Sequence, residues 1–278
     1  MIALAPGDAR YPSRLRDLPH PPDPLFVDGD LAAFDATAIA IVGTRRMSGY
    51  GERVARELAI ACAEAGVVVV SGLAQGIDTA AHRGALDGRG RTIAVLGESI
   101  PLFVATVRGR RRPLVPRIRA SGALASEYAA PLSARGWMFA RRNATIAALA
   151  SAVVVVEAPA TSGALITAQE ARALGRRVYA VPGPLGSAAS IGTNALIADG
   201  LATALVSADQ LLRGSRFAAV RVAPRADPLL DALRDGALGV DELARRLRTA
   251  PTLVAARAAR LIVRGEVIAL PDGRLRRP

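Results

Sequence analysis

The chain has 278 residues, 51% hydrophobic and 22% charged, a composition that supports a large folded core and excludes a disordered chain. Its formal net charge is +12 and its 36 basic residues are all arginines, which excludes mechanisms that need a lysine amine, such as a P-loop or a Schiff base. One cysteine and two histidines exclude a disulfide framework and a standard zinc site, and we expect neither a metal nor another cofactor.

The first 38 residues contain five prolines between positions 12 and 24 and are predicted to form an irregular lead-in. Beyond them, β-branched runs predict strands buried on both faces at 39–42, 67–70, 92–96, 152–156, 178–181 and 204–206. Alanine-rich stretches predict helices between these strands at about 50–65, 75–87, 142–150, 162–174 and 191–199. This alternation is typical of the α/β class with a doubly wound parallel sheet.

A proline- and arginine-containing stretch at 213–228 predicts a linker between a main domain over 39–212 and a small domain over 229–278. The small domain shows three short helical patterns followed by a hairpin with a Pro-Asp-Gly turn at 271–273. That order is typical of a winged-helix module.

The third of these helical patterns runs from Thr252 to Val263. It contains no asparagine, glutamine or lysine that would recognise a base edge, so we expect it to contact protein rather than DNA bases. Its candidate apolar contacts are Leu253, Ala256, Leu261 and Ile262.

The positive charge is concentrated in residues 108–142, where nine arginines and one acid, Glu127, give a net charge of +8. Such a block is either a solvated face or an electrostatic footprint for nucleic acid. Trp137 and Phe139 lie at its end. Exposed rings beside arginines are typical of proteins that bind single strands, whereas buried rings would be core anchors, and the sequence leaves both interpretations open.

Four predicted strands end in small residues at the edge where open α/β sheets bind ligands, and one of these ends is the loop over 182–187 after the strand at 178–181. The first runs into Gly43-Thr44-Arg45-Arg46 before a helix start with free N–H groups, which suits a phosphodiester, although a generic tight turn is the alternative. The second runs into Gly72 and Gly76, followed by Asp78, which we expect to cap the helix. After the strand at 152–156, Thr161 or Ser162 is either a helix N-cap or an anion ligand.

No Ser/His/Asp or Cys/His arrangement and no supported pair of acids is apparent, and we expect His82 to pack or to form a hydrogen bond. We therefore expect a protein that is not an enzyme. No apolar run approaches the roughly 20 residues of a membrane span and no leader opens the sequence, so we also expect a cytoplasmic location.

Ordered motifs along the chain resemble those of the DNA-processing protein A (DprA/Smf) family. They comprise Gly43-Thr-Arg with Tyr50-Gly51, Ser71-Gly-Leu-Ala-Gln-Gly-Ile-Asp-Thr-Ala-Ala-His82, Phe139-Ala-Arg-Arg-Asn143, Ser162-Gly-Ala-Leu-Ile-Thr167 and Val178-Tyr-Ala-Val-Pro-Gly183. The similarity covers about residues 10–212 in order, together with the terminal module.

The resemblance implies an extended Rossmann-like domain with a C-terminal winged helix. It further implies that the protein binds single-stranded DNA without strong sequence preference, loads the RecA recombinase on it during natural transformation, bypasses single-strand-binding protein and forms a homodimer. The DNA-binding residues that it implies are Gly43, Thr44, Arg45, Arg46, Gly72, Gly76, Phe139, Arg141, Arg142, Asn143, Ser162 and Gly163.

The sequence departs from the family in two places. The family's Tyr-Pro-x-x-Asn segment is replaced within residues 98–119 by an arginine-rich stretch, and alanines stand at positions 140 and 144, where proline and arginine are usual. We expect the added arginines to compensate for the one that is absent.

Two alternatives belong to other classes. A nucleoside-monophosphate N-glycosidase of the lysine-decarboxylase-like superfamily would carry a Pro-Gly-Gly-x-Gly-Thr signature, which Pro182-Gly183-Pro184 does not match. A winged-helix transcription regulator would use the terminal module to read an operator.

Overall fold

The computed structural model describes residues 1–130, 135–214, 228–234, 236–263 and 267–278. The chain divides into two compact units, Met1–Val220 and Arg221–Pro278. Residues 215–227, most of the predicted linker, lie outside the described residues.

The first unit is built on a sheet whose described strands follow the order β1-β2-β6-β5-β4-β3-β7-β8-β9. The strands are β1 (Ile2–Leu4), β2 (Leu25–Gly29), β3 (Ala38–Val42), β4 (Val68–Ser71), β5 (Thr92–Leu96), β6 (Ala123–Ser126), β7 (Ala152–Val155), β8 (Arg177–Ala180) and β9 (Thr203–Ala204). Strands β3 to β9 pair in parallel, whereas β2 joins β6 and β1 joins β2 in antiparallel fashion.

The strand order reverses at β3. The chain proceeds from β3 to β4 on one side, and it returns to the other side of β3 with β7, where Ile39 lies opposite Ala152. Loops that leave β3 and β7 therefore diverge, and they open a crevice at the carboxyl ends of these two strands. This switch point is where open α/β sheets bind ligands.

Helices cover both faces of this sheet. They are α1 (Gly49–Glu64), α2 (Ile77–Asp87), α3 (Ile100–Thr106), α4 (Leu114–Ser121), α5 (Gly136–Leu149), α6 (Gly163–Ala173), α7 (Ile191–Ala198) and α8 (Ala208–Gly214). Ile39 and Ile41 of β3 pack with α1, α2 and α8 on one face, while Ala40 and Val42 pack with α5 and α6 on the other. The predicted doubly wound α/β class is confirmed. Within the described ranges, no helix has both the length and the apolar character that crossing a membrane requires.

Some elements differ from the sequence-based prediction. The irregular lead-in predicted over residues 1–38 is wrong for β1 and β2, which extend the sheet as edge strands. In β2 the apolar run is limited to the three residues of 25–27 and directly follows Pro24, so the prolines dominated the prediction. Strand β6 escapes prediction because its sequence, Ala-Leu-Ala-Ser, has no β-branched residue. Helix α5 begins at Gly136, two turns before the predicted position 142.

The second unit contains α9 (Pro228–Ala232), α10 (Val240–Leu247), α11 (Pro251–Val263) and a hairpin of β10 (Ile268–Ala269) with β11 (Leu275–Arg276). The side chains of α11 that enter its core are Val254, Ala258 and Leu261. Leu261 is a predicted contact, whereas the predicted contacts Leu253, Ala256 and Ile262 are wrong, because all three are exposed. The winged-helix assignment of this unit stays a prediction.

Candidate nucleic-acid interface

A crevice of about 460 Å³ opens where β3 and β7 end and α5 and α6 begin. We call it the main crevice. Nine of the twelve residues predicted to bind DNA line it: Gly43, Thr44, Arg45, Arg46, Phe139, Arg142, Asn143, Ser162 and Gly163. The structure therefore brings together, in one place, motifs that are far apart in the sequence.

The turn after β3 forms one wall of the main crevice, and it requires a glycine. A Cβ on Gly43 would lie 2.6 Å from Cγ1 of Ile77 and 2.8 Å from the carbonyl oxygen of Glu157, which is too close for any side chain. The next residue, Thr44, donates its N–H to that Glu157 carbonyl at 2.7 Å, and its own carbonyl oxygen accepts the Ile77 N–H at 3.2 Å. The backbone is thus fixed between β7 and α2, and it presents Arg45 and Arg46 outward.

The N-terminus of α1 is not available to a ligand. The buried carboxylate of Glu157 accepts the N–H of Ser48 at 2.9 Å and the Ser48 hydroxyl at 2.5 Å. A Cβ on Gly51 would lie 2.3 Å from Oε2 of the same glutamate, so the carboxylate lies directly against the first turn of α1. The hypothesis that this helix start holds a phosphate is wrong, because a carboxylate of the protein already takes that role.

The N-terminus of α6 faces the main crevice instead. Ser162 is its N-cap, and its hydroxyl accepts the Ala164 N–H at 3.3 Å. The carbonyl of Gly163 accepts a hydrogen bond from the Asn143 side chain of α5 at 3.2 Å, which joins the middle of α5 to the start of α6. A helix start with its partial positive charge and free amides is an anion-binding element.

Helix α5 contributes one face to the main crevice. Gly136, Phe139, Ala140 and Asn143 have the spacing of one helix face, and all four line it. The Phe139 ring packs where Gly97 has no side chain, 2.5 Å from the position that a Cβ would occupy. The guanidinium carbon of exposed Arg45 lies 5.6 Å from the centroid of the same ring, a cation–π contact between the turn after β3 and α5.

Trp137, one residue beyond Gly136, is 55% exposed and contacts Tyr128 edge to face, with ring centroids 6.0 Å apart. The core-anchor interpretation is therefore wrong for Trp137. The half-buried Phe139 ring packs against Gly97 and also lines the main crevice.

Arg142 does not reach the surface, although it was predicted to contact DNA. It is 5% exposed, and its Nη1 donates to the carbonyl oxygens of Gly72 at 2.7 Å and Val95 at 2.8 Å. Gly72 is also buried and leaves room for this guanidinium, since a Cβ there would lie 1.8 Å from Arg142 Nη1. Both residues therefore support the crevice from below, and the geometry gives no support to direct contact with a strand.

Asp78 faces the buried Arg142 and accepts the N–H groups of Gly72 at 3.1 Å and Ala74 at 3.3 Å. Its role is structural, but the prediction that it caps the helix is wrong, because these amides belong to the loop before α2 and the N-cap is Gly76. Burial raises the pKa of the Asp78 carboxyl, while the Arg142 charge opposes that rise. His82 lies nearby, fully buried, and forms a hydrogen bond with Thr92 at 2.7 Å, as expected. Burial, aided by the Arg142 charge, lowers the pKa of His82 to about 3, so its ring is neutral.

Gly76 and Arg141 lie outside the lining of the main crevice. Gly76 has a φ of +81° at the start of α2, and a Cβ there would lie 2.2 Å from the carbonyl oxygen of Thr44, so the residue supports the turn after β3. Arg141 projects from α5 and pairs with the buried carboxylate of Glu127 at 2.7 Å, while its own side chain is 49% exposed.

The basic block over 108–142 is not one uniform face. Four of its arginines are paired with acids: Arg110 with Glu52, Arg117 with Asp87, Arg119 with Asp28, and Arg141 with Glu127, the one acid of the block itself. The sequence gives no sign of these pairs, because each acid lies outside the helix or turn that carries its arginine. Among the described residues, Arg45 and Arg46 form no ion pair, and they are exposed cations that line the main crevice.

Comparison with known proteins agrees with this geometry. The family model of DNA recombination-mediator protein A matches residues 3–215. The chain belongs to this family. It is 39% identical over 217 residues to protein Smf of Escherichia coli and 45% identical over 192 residues to a putative DNA processing protein DprA of Mycobacterium tuberculosis. The two alignments cover 77% and 68% of this chain but 57% and 48% of the relatives, so the chain spans about half the length of these two proteins.

Two solved structures share the fold. The chain is similar to DNA processing protein A of Streptococcus pneumoniae, with a TM-score of 0.72, 35% identity and coverage of 78% of this chain and 75% of that one. It is also similar to DNA processing protein A of Helicobacter pylori, whose structure is described as showing a single-stranded DNA binding mode. There the TM-score is 0.67, the identity is 28%, and the coverage is 73% of this chain and 91% of that one.

Proposed function

We propose that the main crevice binds single-stranded DNA without strong sequence preference. The observation that carries the proposal is Arg45, an exposed guanidinium without an ion pair among the described residues, held over the Phe139 ring beside the α6 N-terminus. Arginine and helix-start amides bind phosphates, and an adjacent aromatic ring offers a surface on which bases stack. The Helicobacter pylori relative, described by its single-stranded DNA binding mode, supports this assignment.

The lining of the main crevice explains the preference for single strands. Its volume of about 460 Å³ has room for splayed nucleotides. A duplex keeps its bases paired and stacked, so the Phe139 ring in the lining cannot reach their faces.

The weak dependence on sequence follows from the same lining. Arg45, Arg46, Ser162 and the backbone amides recognise phosphates, which carry no base identity. The amide of Asn143 is a group that reads base edges, but it already donates to the Gly163 carbonyl.

We also propose that the protein is a binding protein and not an enzyme. The polar side chains around the crevice have structural tasks: Asp78 holds two amides, Glu157 holds the start of α1, and the Thr44 hydroxyl accepts the Arg46 N–H at 3.2 Å. This arrangement supports binding, because none of these groups is left to act as a general base on a ligand.

The family membership supports a role in recombination. We propose that the protein acts in the cytoplasm as a homodimer, delivers single strands to the RecA recombinase during natural transformation, and does so on strands covered by single-strand-binding protein. The test is the lag before recombinase ATPase activity starts on coated strands. The lag shortens when the protein is added, and an Arg45→Ala variant shortens it less.

DNA binding itself is tested by competition. A fluorescently labelled oligothymidylate of about 20 nucleotides is bound, and unlabelled single strands of different sequence and a duplex of the same length compete for the protein. We expect the single strands to compete within a few-fold of one another and the duplex to compete at least tenfold less well. Equal competition by the duplex contradicts the proposal.

A further inference from the structure

A second cavity, of about 360 Å³, adjoins the main crevice. We call it the arginine pocket. Six arginines line it: Arg45, Arg46, Arg83, Arg108, Arg110 and Arg111. Glu52 is the one carboxylate among its described lining residues, so the pocket carries a net charge of +5.

The two cavities share a wall. Arg45 and Arg46 line both the main crevice and the arginine pocket, and Gly76, at the foot of that wall, also faces the pocket. A chain of phosphates that leaves the main crevice over these two arginines enters the arginine pocket directly. The shared wall therefore makes the two sites continuous for a polymer.

The positive charge of the arginine pocket is not neutralised by acids that line it. Glu52 lies 3.5 Å from Arg110 and 3.8 Å from Arg83, so its single negative charge is shared between two cations. Arg108 has no ion pair among the described residues and donates to the backbone carbonyls of Ala105 and Val107. Cations that lie close together with so little negative charge repel one another, and an anion between them removes that repulsion.

The Arg111 side chain is packed against the fold and is not freely solvated. Its guanidinium carbon lies 5.7 Å from the centroid of the Phe103 ring. Its Nε is shielded from solvent and has no hydrogen-bond partner in the described part of the chain. A short 3-10 turn, Gly109–Arg111, begins with a glycine at φ +64° and orients these arginines together.

We propose that the arginine pocket is a second binding site for the phosphodiester backbone of the same DNA strand. The strand runs from the main crevice over Arg45 and Arg46 and ends among Arg108, Arg110 and Arg111. This inference rests on the proposed function, and it assigns a role to the segment over 98–119 whose sequence departs from that usual in the family. Affinity then depends on strand length, because only a longer strand occupies both sites.

The test compares two triple variants of the full chain. The pocket variant carries Arg108→Gln, Arg110→Gln and Arg111→Gln. The control carries Arg89→Gln, Arg172→Gln and Arg177→Gln, which are exposed arginines next to the amino ends of β5 and β8, at the opposite edge of the sheet. Both lose three charges, so a difference between them reports local contacts and not net charge.

For an oligothymidylate of about 20 nucleotides, we expect the pocket variant to bind at least tenfold more weakly than the control. Its slope of log K against log salt should be less negative by about 2, since each lost phosphate contact contributes about 0.7. For a strand of about 6 nucleotides, near the lower end of known single-strand site sizes, the two variants should bind alike. Equal affinities at both lengths overturn the proposal.

Failure of the proposed function is a separate outcome, in which the wild-type chain binds neither strand. If the Gln at position 111 impairs folding, as reported by circular dichroism, the double variant Arg108→Gln/Arg110→Gln replaces the triple one, with Arg89→Gln/Arg172→Gln as its control. The expected change in slope is then about 1.4.

Discussion

The guanidinium of Arg45 lies over the ring of Phe139, with its central carbon 5.6 Å from the ring centroid. This contact joins the turn after β3 to α5 and holds an exposed cation above the main crevice. The contact positions the guanidinium, and among the described residues no carboxylate forms an ion pair with its N–H donors. Those donors have the geometry that a phosphate needs for a bidentate contact.

Replacing Arg45 tests that contact. The Arg45→Ala variant should bind single-stranded DNA more weakly by about 1.5–3 kcal/mol, the range for a charged hydrogen bond, with little change in folding because the side chain is exposed. Fluorescence anisotropy gives the dissociation constant. Arg89→Ala, which removes an exposed arginine elsewhere, serves as the control and should leave the affinity nearly unchanged. An Arg45→Ala variant that folds and binds like the wild type contradicts the assignment.

Trp137 offers a direct optical test of base stacking, because it is the single tryptophan of the chain and is 55% exposed. Its fluorescence should be quenched when oligothymidylate binds. The Trp137→Ala variant should lose about 1–3 kcal/mol of binding free energy, and Trp137→Phe should retain most of it. Unchanged fluorescence at saturating DNA would show that this ring does not meet a base.

Arg142 and Arg141 are neighbours, but replacing Arg142 should destabilise the fold much more than replacing Arg141. The Arg142→Met variant leaves the carbonyls of Gly72 and Val95 without their donor and leaves Asp78 without its facing charge, so the free energy of unfolding should fall by roughly 3–5 kcal/mol. The Arg141→Ala variant removes a half-exposed arginine from a buried carboxylate that keeps the Thr145 hydroxyl as a donor, so it should cost less, about 1–2 kcal/mol. Urea unfolding followed by Trp137 fluorescence measures both. Similar losses for the two variants would contradict the buried role of Arg142.

The buried, neutral His82 predicts a pH dependence of stability. Its pKa is lowered to about 3 in the folded chain, whereas in the unfolded chain it is about 6.5. Between these values only the unfolded chain takes up the proton, so acid favours unfolding. From pH 7 to 5.5 this group should remove about 1.2 kcal/mol of the free energy of unfolding. The His82→Gln variant should lack this component. An equal loss in both proteins would mean that His82 does not stay neutral.

The sequence was sufficient to predict six strands of the sheet, although not β1, β2 or β6, and the edge that carries the site. Uninterrupted valine runs such as 67–70 mark strands buried on both faces, and the glycine and hydroxyl residues after β3 and β7 mark their ends. Both ends meet at one edge because the strands are parallel, which brings Gly43 and Ser162 into the same crevice.

The roles of individual charged residues could not be predicted, because those roles depend on partners from distant elements. Arg141 and Arg142 are adjacent in the sequence, yet helix geometry turns one toward Glu127 at the surface and the other toward Val95 in the core. Glu157 gave no signal either, since its partner Ser48 lies on another element. A helix prediction for α5 that began at Gly136 would have placed Phe139 and Arg142, three residues apart, on one helix face, and in the structure the guanidinium carbon of Arg142 lies 5.9 Å from the centroid of the Phe139 ring.

The salt dependence of binding tests the central claim most directly. If about five phosphates are neutralised in the main crevice, log K for a single strand should fall with log salt at a slope of about −3 to −4, and duplex of equal length should bind at least tenfold more weakly throughout. Anisotropy titrations of the full chain at several salt concentrations give both quantities. A flat salt response, or duplex bound as tightly as the single strand, would contradict the account.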